Sequence, residues 1–313
     1  MIFVIMKIIE SIIEKTGVPD MIELLAESLS GTEINSLLLE VFNKKQESLS
    51  PAILLNQYRA NRFVHPAETD MIELLTLELK VLNFLQQYQF QAIELSPVAQ
   101  FGSCSVVAPV DQKKIITATR NTEVMADATN AIALHIADLK KSGIKDDLNF
   151  CTIHRHTRAQ EFKGKGFSAH FKVGCMVSSG RDKGSYSFEK GSLLKHFQTF
   201  YELFIAVYKV NNIRFKLQQR EGYNNSDHLV QEVFHYLRNN SDLDIFIDDA
   251  PGINNYYKGI QCKMIIEING IELEIADGGF TDWTQQLLEN KKERLLISGF
   301  GFELLYKFQN GMV

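Results

Sequence analysis

The sequence is poor in the residues that mark disulfide-rich or membrane-spanning proteins. Its 313 residues include four cysteines, six prolines and one tryptophan. No cysteine belongs to a Cys-x-x-Cys pair, which predicts reduced, buried thiols at Cys104, Cys151, Cys175 and Cys262. The apolar start, residues 1–15, carries four charged side chains and is too short to span a bilayer, so it predicts an amphipathic helix. The cytoplasm is therefore the expected compartment, with no membrane partner.

Positive charge and the common catalytic motifs are scarce as well. A net charge of −5 argues against a nucleic-acid partner. There is no Walker loop and no Gly-x-Ser-x-Gly turn, and the pair Gly299 and Gly301 lacks the third glycine of a dinucleotide fold. Cys151 and His154 would point to opposite faces of a strand, and no further ligand pair lies nearby. We therefore expect no metal site.

The chain divides by its hydrophobic patterning into two parts. Residues 1–66 show apolar positions at helical spacing and predict a helical appendage, with Asp20 and Thr32 as helix caps and Ser50-Pro51 as a helix start. Residues 67–313 mix helices and strands and predict one larger core. The first core helix is expected from about Thr69 to Leu85.

Several core elements have local signals. Strands are predicted at Phe90–Leu95, Ser103–Pro109 and Lys114–Thr119, and a helix from about Glu123 to Lys141. The clearest signal is the hairpin Met264–Ala276, where Asn269-Gly270 suits a type I′ turn between alternating strands. Hairpins without a regular βαβ alternation favour an α+β fold with a mainly antiparallel sheet flanked by helices.

Four segments, taken in chain order, carry a family resemblance. They are Tyr88–Pro97, a helix running into a strand that ends at proline; Thr119–Glu123 before a helix; His154–Arg158 followed by a polar loop and Phe167; and Asn254–Ile260 followed by the hairpin, Gly278-Gly279 and Gly299–Phe302. This order resembles the catalytic core of class II aminoacyl-tRNA synthetases. It is nearest to histidyl-tRNA synthetase and to the regulatory subunit of ATP phosphoribosyltransferase. The resemblance covers about residues 67–308 and leaves out the N-terminal helices and any anticodon-binding domain.

The resemblance implies roles for individual residues. Arg155 falls on the arginine that grips the nucleotide phosphate, and Phe167 falls where an aromatic ring stacks on adenine; Arg158 is grouped with them as nucleotide-binding. The implied ligand pocket contains Arg120, Glu123, Tyr256, Tyr257, Gly278, Gly279 and Gly299. The cofactor is unknown, and ATP with Mg²⁺ is the candidate that the family implies. Tyr88–Pro97 and the preceding helix would form a homodimer interface.

Other readings of the same residues stay open. Arg155 would equally suit a surface ion pair. One of the two tyrosines would pack in the core regardless of function. Glu123 would complement the dipole at a helix N-terminus.

The sequence also departs from the family pattern at charged positions. Thr157 replaces the glutamate of the second motif, residues 250–255 supply no basic residue, and Leu305 and Tyr306 occupy the place of the arginine in the third. Adenylate formation depends on electrostatic stabilisation of phosphoryl charge, so losing these arginines leaves little catalysis. The interpretation is a non-aminoacylating, synthetase-like protein that binds an amino acid or a nucleotide and regulates or assembles with a partner protein. The alternative is an ATP-dependent ligase that forms an aminoacyl or acyl adenylate.

Overall fold

The computed structural model describes residues 2–160, 168–248, 255–268 and 270–313, with side chains from residue 7 onward. These residues group into two compact units. The smaller unit contains residues 1–61 and 118–122, and the larger contains residues 62–117 and 123–313. The predicted boundary at residue 66 stays a prediction.

The smaller unit is built from helices α1 (Ile2–Thr16), α2 (Met21–Glu27), α3 (Gly31–Gln46) and α4 (Pro51–Ala60). Ser50 accepts a hydrogen bond from the Ile53 amide with Pro51 in the first turn, as that dipeptide predicted. The cap of α3 is Ser30 rather than Thr32, because Ser30 and Glu33 form a reciprocal capping box.

The tight turn within residues 118–122 completes the smaller unit. Arg120 and Asn121 have left-handed backbone angles, with φ of 64° and 55°. The Asn35 side chain of α3 accepts a hydrogen bond from the Arg120 amide at 2.5 Å and donates one to the Asn121 side chain at 2.7 Å. The turn therefore rests on the N-terminal half of α3.

The larger unit is organised around an eight-stranded sheet of order β1-β5-β6-β11-β10-β9-β7-β8. Its strands are β1 (Gln91–Ala92), β5 (Leu148–Thr157), β6 (His170–Arg181), β7 (Ile213–Gln219), β8 (Asp244–Ile247), β9 (Ile260–Ile268), β10 (Ile271–Thr281) and β11 (Glu293–Phe300). The two edge pairs, β1 with β5 and β7 with β8, are parallel, and the other pairs are antiparallel. Three short strands, β2 (Val98–Gln100), β3 (Thr117–Ala118) and β4 (Thr122–Val124), form a separate small sheet.

Helices cover both faces of the large sheet. On one face, α5 (Met71–Gln87), α7 (Ser187–Leu203), α8 (Ser226–Asn240) and α10 (Phe302–Gln309) bury a core that includes Leu85, Phe197, Val233, Phe300 and Leu305. On the other face, α6 (Ala128–Lys141) and α9 (Trp283–Leu287) pack around Phe150, Ile136 and Trp283. The predicted α+β fold with a mainly antiparallel sheet is confirmed. The four cysteines are free and buried, as predicted.

Two local predictions are wrong because of one buried carboxylate. Residues Ser103–Val107 form a π-helical turn rather than a strand, and α6 begins at Ala128 rather than near Glu123. Glu123 is fully buried in β4, where it accepts hydrogen bonds from the amides of Gly102 and Cys104 at 3.0 and 3.1 Å. These bonds satisfy amides that a strand pairing would otherwise need to satisfy, so the chain turns at this point.

Candidate functional site

Two adjoining cavities open on the sheet face that carries α6 and α9. Their volumes are about 370 Å³ and about 290 Å³. Both are lined by the same five side chains, Asp127, Arg158, Tyr256, Tyr257 and Asp277. We call the larger space the first lobe and the smaller one the second lobe.

Asp127 is placed by the start of α6. It is the N-cap of that helix, and its Oδ1 accepts hydrogen bonds from the amide and the hydroxyl of Thr129 at 2.9 and 2.7 Å. Its Oδ2 accepts a hydrogen bond from the Tyr256 hydroxyl at 2.7 Å. Burial acts to raise the pKa of Asp127, but His156, Arg158 and these hydrogen bonds outweigh it and lower the pKa. The group therefore presents a carboxylate to the cavity at neutral pH.

His156 presents a neutral ring to the second lobe. Its Nε2 accepts a hydrogen bond from the Ala128 amide at 3.1 Å, so Nδ1 carries the proton. Among the residues that the structure describes, this buried Nδ1 has no hydrogen-bond partner. Burial, helped by Arg158 and His154 and opposed by Asp127, lowers the pKa of His156 to about 4. This N–H is therefore a buried polar group beside the second lobe, of the kind that native structures usually satisfy.

Asp277 is the second carboxylate of the site. It accepts hydrogen bonds from the Gln261 side chain at 2.7 Å and the Tyr257 hydroxyl at 3.2 Å. The Gln261 oxygen in turn accepts two hydrogen bonds from the buried Arg220, at 3.0 and 2.6 Å. Burial raises the pKa of Asp277, while the bond from Gln261 opposes the shift.

The aromatic wall of the cavity depends on a glycine. The rings of Tyr256 and Tyr257 meet edge to face with centroids 5.0 Å apart, and Tyr256 meets Trp283 at 5.2 Å. A Cβ at Gly279 would lie 2.6 Å from the Tyr257 ring and 2.5 Å from the backbone oxygen of Ile260. Glycine at this position therefore allows the Tyr257 ring to approach β10 closely.

Gly278 and Gly299, two further glycines of the predicted pocket, differ in the space around them. A Cβ at Gly278 would lie 2.6 Å from the backbone oxygen of Ile297. Gly299 lines the second lobe, and a Cβ there would meet only ordinary contacts, from 3.4 Å. Close packing therefore explains the glycine at position 278, whereas a Cβ would fit at position 299 without displacing its neighbours.

Strand alternation separates the two predicted nucleotide-binding arginines. Arg158 follows β5, lines both lobes and donates a hydrogen bond to the Ala126 carbonyl at 3.3 Å. Arg155 lies on the opposite face of β5, where it forms an ion pair at 3.0 Å with the buried Glu303 of α10 and contacts His170. The structure therefore brings Arg158, and not Arg155, into the cavity, because side chains three residues apart on a strand lie on opposite faces.

The remaining predicted site residues are distributed unevenly. Tyr256, Tyr257 and Gly299 line the cavity. Glu123 is used by backbone amides, as described above, and is not part of the lining. Arg120 belongs to the turn of the smaller unit. Phe167 lies outside the described residues.

Sequence reasoning missed the two aspartates and His156. Asp127 has the sequence signal of a helix N-cap, because Asp-Ala-Thr precedes a long apolar helical pattern. Asp277 directly precedes the Gly278-Gly279 pair, and His156 lies within the segment His154–Arg158, but neither had a predicted role. Within the described ranges, no cluster of His, Cys, Asp and Glu side chains is arranged to hold a metal ion.

No helix in the described part of the chain has both the length and the apolar character required to cross a membrane.

No protein-family model and no curated protein matches the sequence. Solved structures do match in fold. A structure named as an ATP phosphoribosyltransferase regulatory subunit/histidyl-tRNA synthetase from Bacillus halodurans superposes with a TM-score of 0.61 at 11% identity, over 79% of this chain and 82% of that one.

Structures of histidyl-tRNA synthetases superpose with similar TM-scores and identities. The apo enzyme from S. aureus has a TM-score of 0.60 at 11% identity, over 80% of this chain and 69% of that one. The enzyme from a Nostoc species has a TM-score of 0.57 at 14% identity, over 81% and 75%. Identities this low establish the fold alone: the chain contains a core with the fold of the class II aminoacyl-tRNA synthetases.

Proposed function

We propose that this chain is a synthetase-like binding protein whose cavity holds a small ligand with an amino group, such as an amino acid. In this proposal it acts by regulating or assembling with a partner protein, and it does not form an adenylate. The observation that supports the proposal most is the charge of the cavity lining. Among the described residues of the second lobe, carboxylates outnumber cations, whereas a nucleotide triphosphate would require the reverse.

The second lobe gives the clearest charge balance. Among the described residues that line it, Asp127, Glu274 and Asp277 are acidic and Arg158 is basic. Glu274 forms ion pairs with Lys216 and Lys263, which leaves Asp127 and Asp277 beside one cation, Arg158. His156 adds no positive charge at neutral pH, because its pKa is lowered to about 4. Carboxylates in a partly desolvated site attract an ammonium group and repel phosphate oxygens.

Donors for the other end of an amino acid lie in the same lobe. Arg158 offers a guanidinium to a carboxylate, and the Nδ1 proton of His156 has no partner in the described structure. The Tyr256 and Tyr257 rings supply an apolar wall for a side chain. These groups together match a zwitterion.

A thermal-shift and calorimetric screen of the purified chain tests this proposal. The twenty amino acids, simple amines, simple carboxylates and ATP with Mg²⁺ are the ligands. We expect at least one compound with a free amino group to bind and its N-acetylated form to fail. Binding of ATP with Mg²⁺ and of no amino compound would overturn the proposal.

A partner role is supported by a fold match whose name includes a regulatory subunit. The partner role would be supported for this chain if it captures a specific protein and the activity of that protein changes when the ligand is added. A ligand-binding chain that captures no protein and changes no activity would count against it.

A second candidate is an adenylate-forming ligase. The observation that favours it is the presence of two cations, Lys114 and Arg158, in the lining of the first lobe. Pyrophosphate exchange, measured across the twenty amino acids and a panel of carboxylic acids, decides between the two functions. A flat result at high protein concentration would reject the ligase, and exchange with any acid would establish it.

A homodimer through α5 and Tyr88–Pro97 belongs to the same proposal. Helix α5 exposes an apolar row, with Met71 71% and Ile72 72% exposed and Leu75 and Leu79 continuing it. Rows of this kind mark interfaces. In sedimentation experiments the wild-type chain should be a dimer, and the Ile72→Asp variant should be a monomer. A wild-type chain that stays monomeric at tens of micromolar would exclude this interface.

A further inference from the structure

A buried arginine near the cavity donates its hydrogen bonds to neutral groups. Arg220 directly follows β7, is 7% exposed, and its backbone amide donates a hydrogen bond to the Gly259 carbonyl at 2.7 Å. Within the described residues, its guanidinium donates to the side chains of Gln218 and Gln261 and to the carbonyl of Gln219. A buried cation is costly unless it is paired, so the groups beyond these neighbours have to balance its charge.

Both glutamines connect the guanidinium to a carboxylate in the same way. The Gln261 oxygen accepts from Nε and Nη2 of Arg220 at 3.0 and 2.6 Å, and its nitrogen donates to Oδ1 of Asp277 at 2.7 Å. The Gln218 oxygen accepts from Nη2 at 3.0 Å, and its nitrogen donates to Oδ2 of Asp248 at 3.0 Å. A guanidinium has only donors, so each glutamine turns its oxygen toward Arg220 and its NH₂ group toward a carboxylate. We call Arg220, Gln261 and Asp277 the relay.

The register of the sheet explains why only one of the two branches reaches the cavity. Gln218 of β7 and Gln261 of β9 are direct cross-strand partners, and Gln261 also lies opposite Gly279 of β10. Asp277 lies two residues before Gly279 on the same face, at the diagonal position that a long side chain can reach. Asp277 lines both lobes of the cavity, whereas Asp248 follows the edge strand β8. The relay therefore crosses from β7 to β10 and ends at the cavity.

We propose that Arg220 is a positioning residue for the ligand: through Gln261 it holds the Asp277 carboxylate in place for the ligand's ammonium group. This inference rests on the proposed function, because it takes the ligand to carry an amino group. A hydrogen bond to the ionised form of a carboxyl group favours that form. Burial raises the pKa of Asp277, and the hydrogen bond from Gln261 is the largest of the influences that lower it.

Other charged and titratable groups surround Asp277. The charged groups beside it or in the same lobes are Lys114, Asp127, Arg158, Lys263 and Glu274. The neutral titratable groups are His156, Tyr256, Tyr257 and Cys262. Substitutions at the two glutamines leave all of these groups in place, so a comparison between the glutamines isolates the relay.

The titration of Asp277 in the unliganded full chain tests the relay. Gln261→Met removes the hydrogen bond to Asp277, and Gln218→Met is the matched control, because it is also buried, also contacts Arg220 and does not contact Asp277. Carbon-13 NMR of labelled aspartate carboxyls measures the pKa, with the Asp277 signal assigned by Asp277→Asn. We expect Gln261→Met to raise the pKa of Asp277 by about one unit or more, and Gln218→Met to leave it nearly unchanged. Equal shifts in the two variants, or no shift in either, would overturn the relay.

Two polar substitutions of Arg220 test its own part in the relay. Arg220→Lys keeps a cation that can only donate, whereas Arg220→Gln can present either a donor or an acceptor to Gln261. The pKa of Asp277 should stay near the wild-type value in Arg220→Lys and should rise in Arg220→Gln. The same pKa in both variants would show that Gln261 acts without Arg220, which would overturn the positioning role.

Calorimetry with the tightest-binding of the twenty amino acids connects the relay to the ligand. The affinity of the wild type should fall as the pH falls through the pKa of Asp277, because an ammonium group requires the carboxylate form. In Gln261→Met this fall should begin about one pH unit higher, and Gln218→Met should follow the wild type. An identical pH profile in all three proteins would overturn the ammonium role of Asp277 and leave the proposed function standing. A wild-type chain that binds no amino compound would overturn the proposed function and the ammonium role together, while the carboxyl titration would still decide the relay.

Discussion

Acidification should destabilise the larger unit through one buried histidine. His196 of α7 is 1% exposed, and its ring nitrogens contact the hydroxyls of Ser178 at 2.9 Å and Ser298 at 2.8 Å. Burial, with a smaller contribution from Lys195, lowers the pKa of His196 to about 3. The unfolded chain keeps an ordinary histidine, with a pKa of roughly 6.5.

The sign and size of the effect follow from proton linkage. Between pH 3 and 6.5 the unfolded chain binds a proton that the folded chain excludes, so stability falls as pH falls through this window. At pH 4.5, two units below the unfolded pKa, the expected loss is about 2 to 3 kcal/mol, at ~1.4 kcal/mol per unit. Above pH 7 the imidazole is neutral in both the folded and the unfolded chain, so this loss of stability is absent.

Urea unfolding of the wild type and of His196→Gln, at pH 7.5 and pH 4.5, measures this contribution. Trp283, the only tryptophan, is buried in the same unit and reports its unfolding by fluorescence. The wild type should lose about 2 to 3 kcal/mol more than the glutamine variant on acidification, because glutamine carries no titrating proton. His135→Gln, at an exposed position, should behave as the wild type. Equal losses in the wild type and His196→Gln would refute the reasoning.

Two further predictions test the placement of individual residues. Arg155→Met should lower the free energy of unfolding by about 1–3 kcal/mol, because it leaves a buried carboxylate with one partner fewer, while ligand affinity stays unchanged. Arg158→Met should instead reduce the ligand affinity measured by calorimetry by about tenfold or more. The reverse pattern would indicate that the ligand contacts Arg155 rather than Arg158. Gly279→Ala should cost about 1–3 kcal/mol and weaken binding by displacing Tyr257. Gly191→Ala, with open space on an exposed position of α7, should be stabilising by roughly 0.5–1 kcal/mol, and equal effects of the two alanines would contradict the packing described.

The sequence was most informative where local signals and tertiary packing agree. The hairpin predicted at Met264–Ala276 corresponds to β9 and β10, because its turn glycine and alternating pattern both favour the same register. The core helix predicted from about Thr69 begins at Met71, capped by Asp70. The family resemblance, drawn from motif order, is confirmed as a fold.

The site was harder to predict because it depends on which way side chains point. A strand reverses its face at each residue, so a motif register off by one moves a guanidinium from the cavity to the helices behind the sheet. Arg155 and Arg158 illustrate this: both fit the resemblance, and only Arg158 lines the cavity. Glu123 illustrates a second difficulty, since its hydrogen bonds to Gly102 and Cys104 link segments about twenty residues apart. No local pattern encodes that pairing.

Calorimetric titration of the wild type and Asp127→Asn, each with the best amino ligand and with ATP and Mg²⁺, tests the central claim about the cavity most directly. Asp146→Asn, at an exposed position, is the matched control. If the cavity holds an ammonium group, Asp127→Asn should weaken the amino ligand by about tenfold or more, and Asp146→Asn should leave it unchanged. If the cavity instead holds a nucleotide, loss of the Asp127 charge should strengthen ATP binding, and that result would contradict the account.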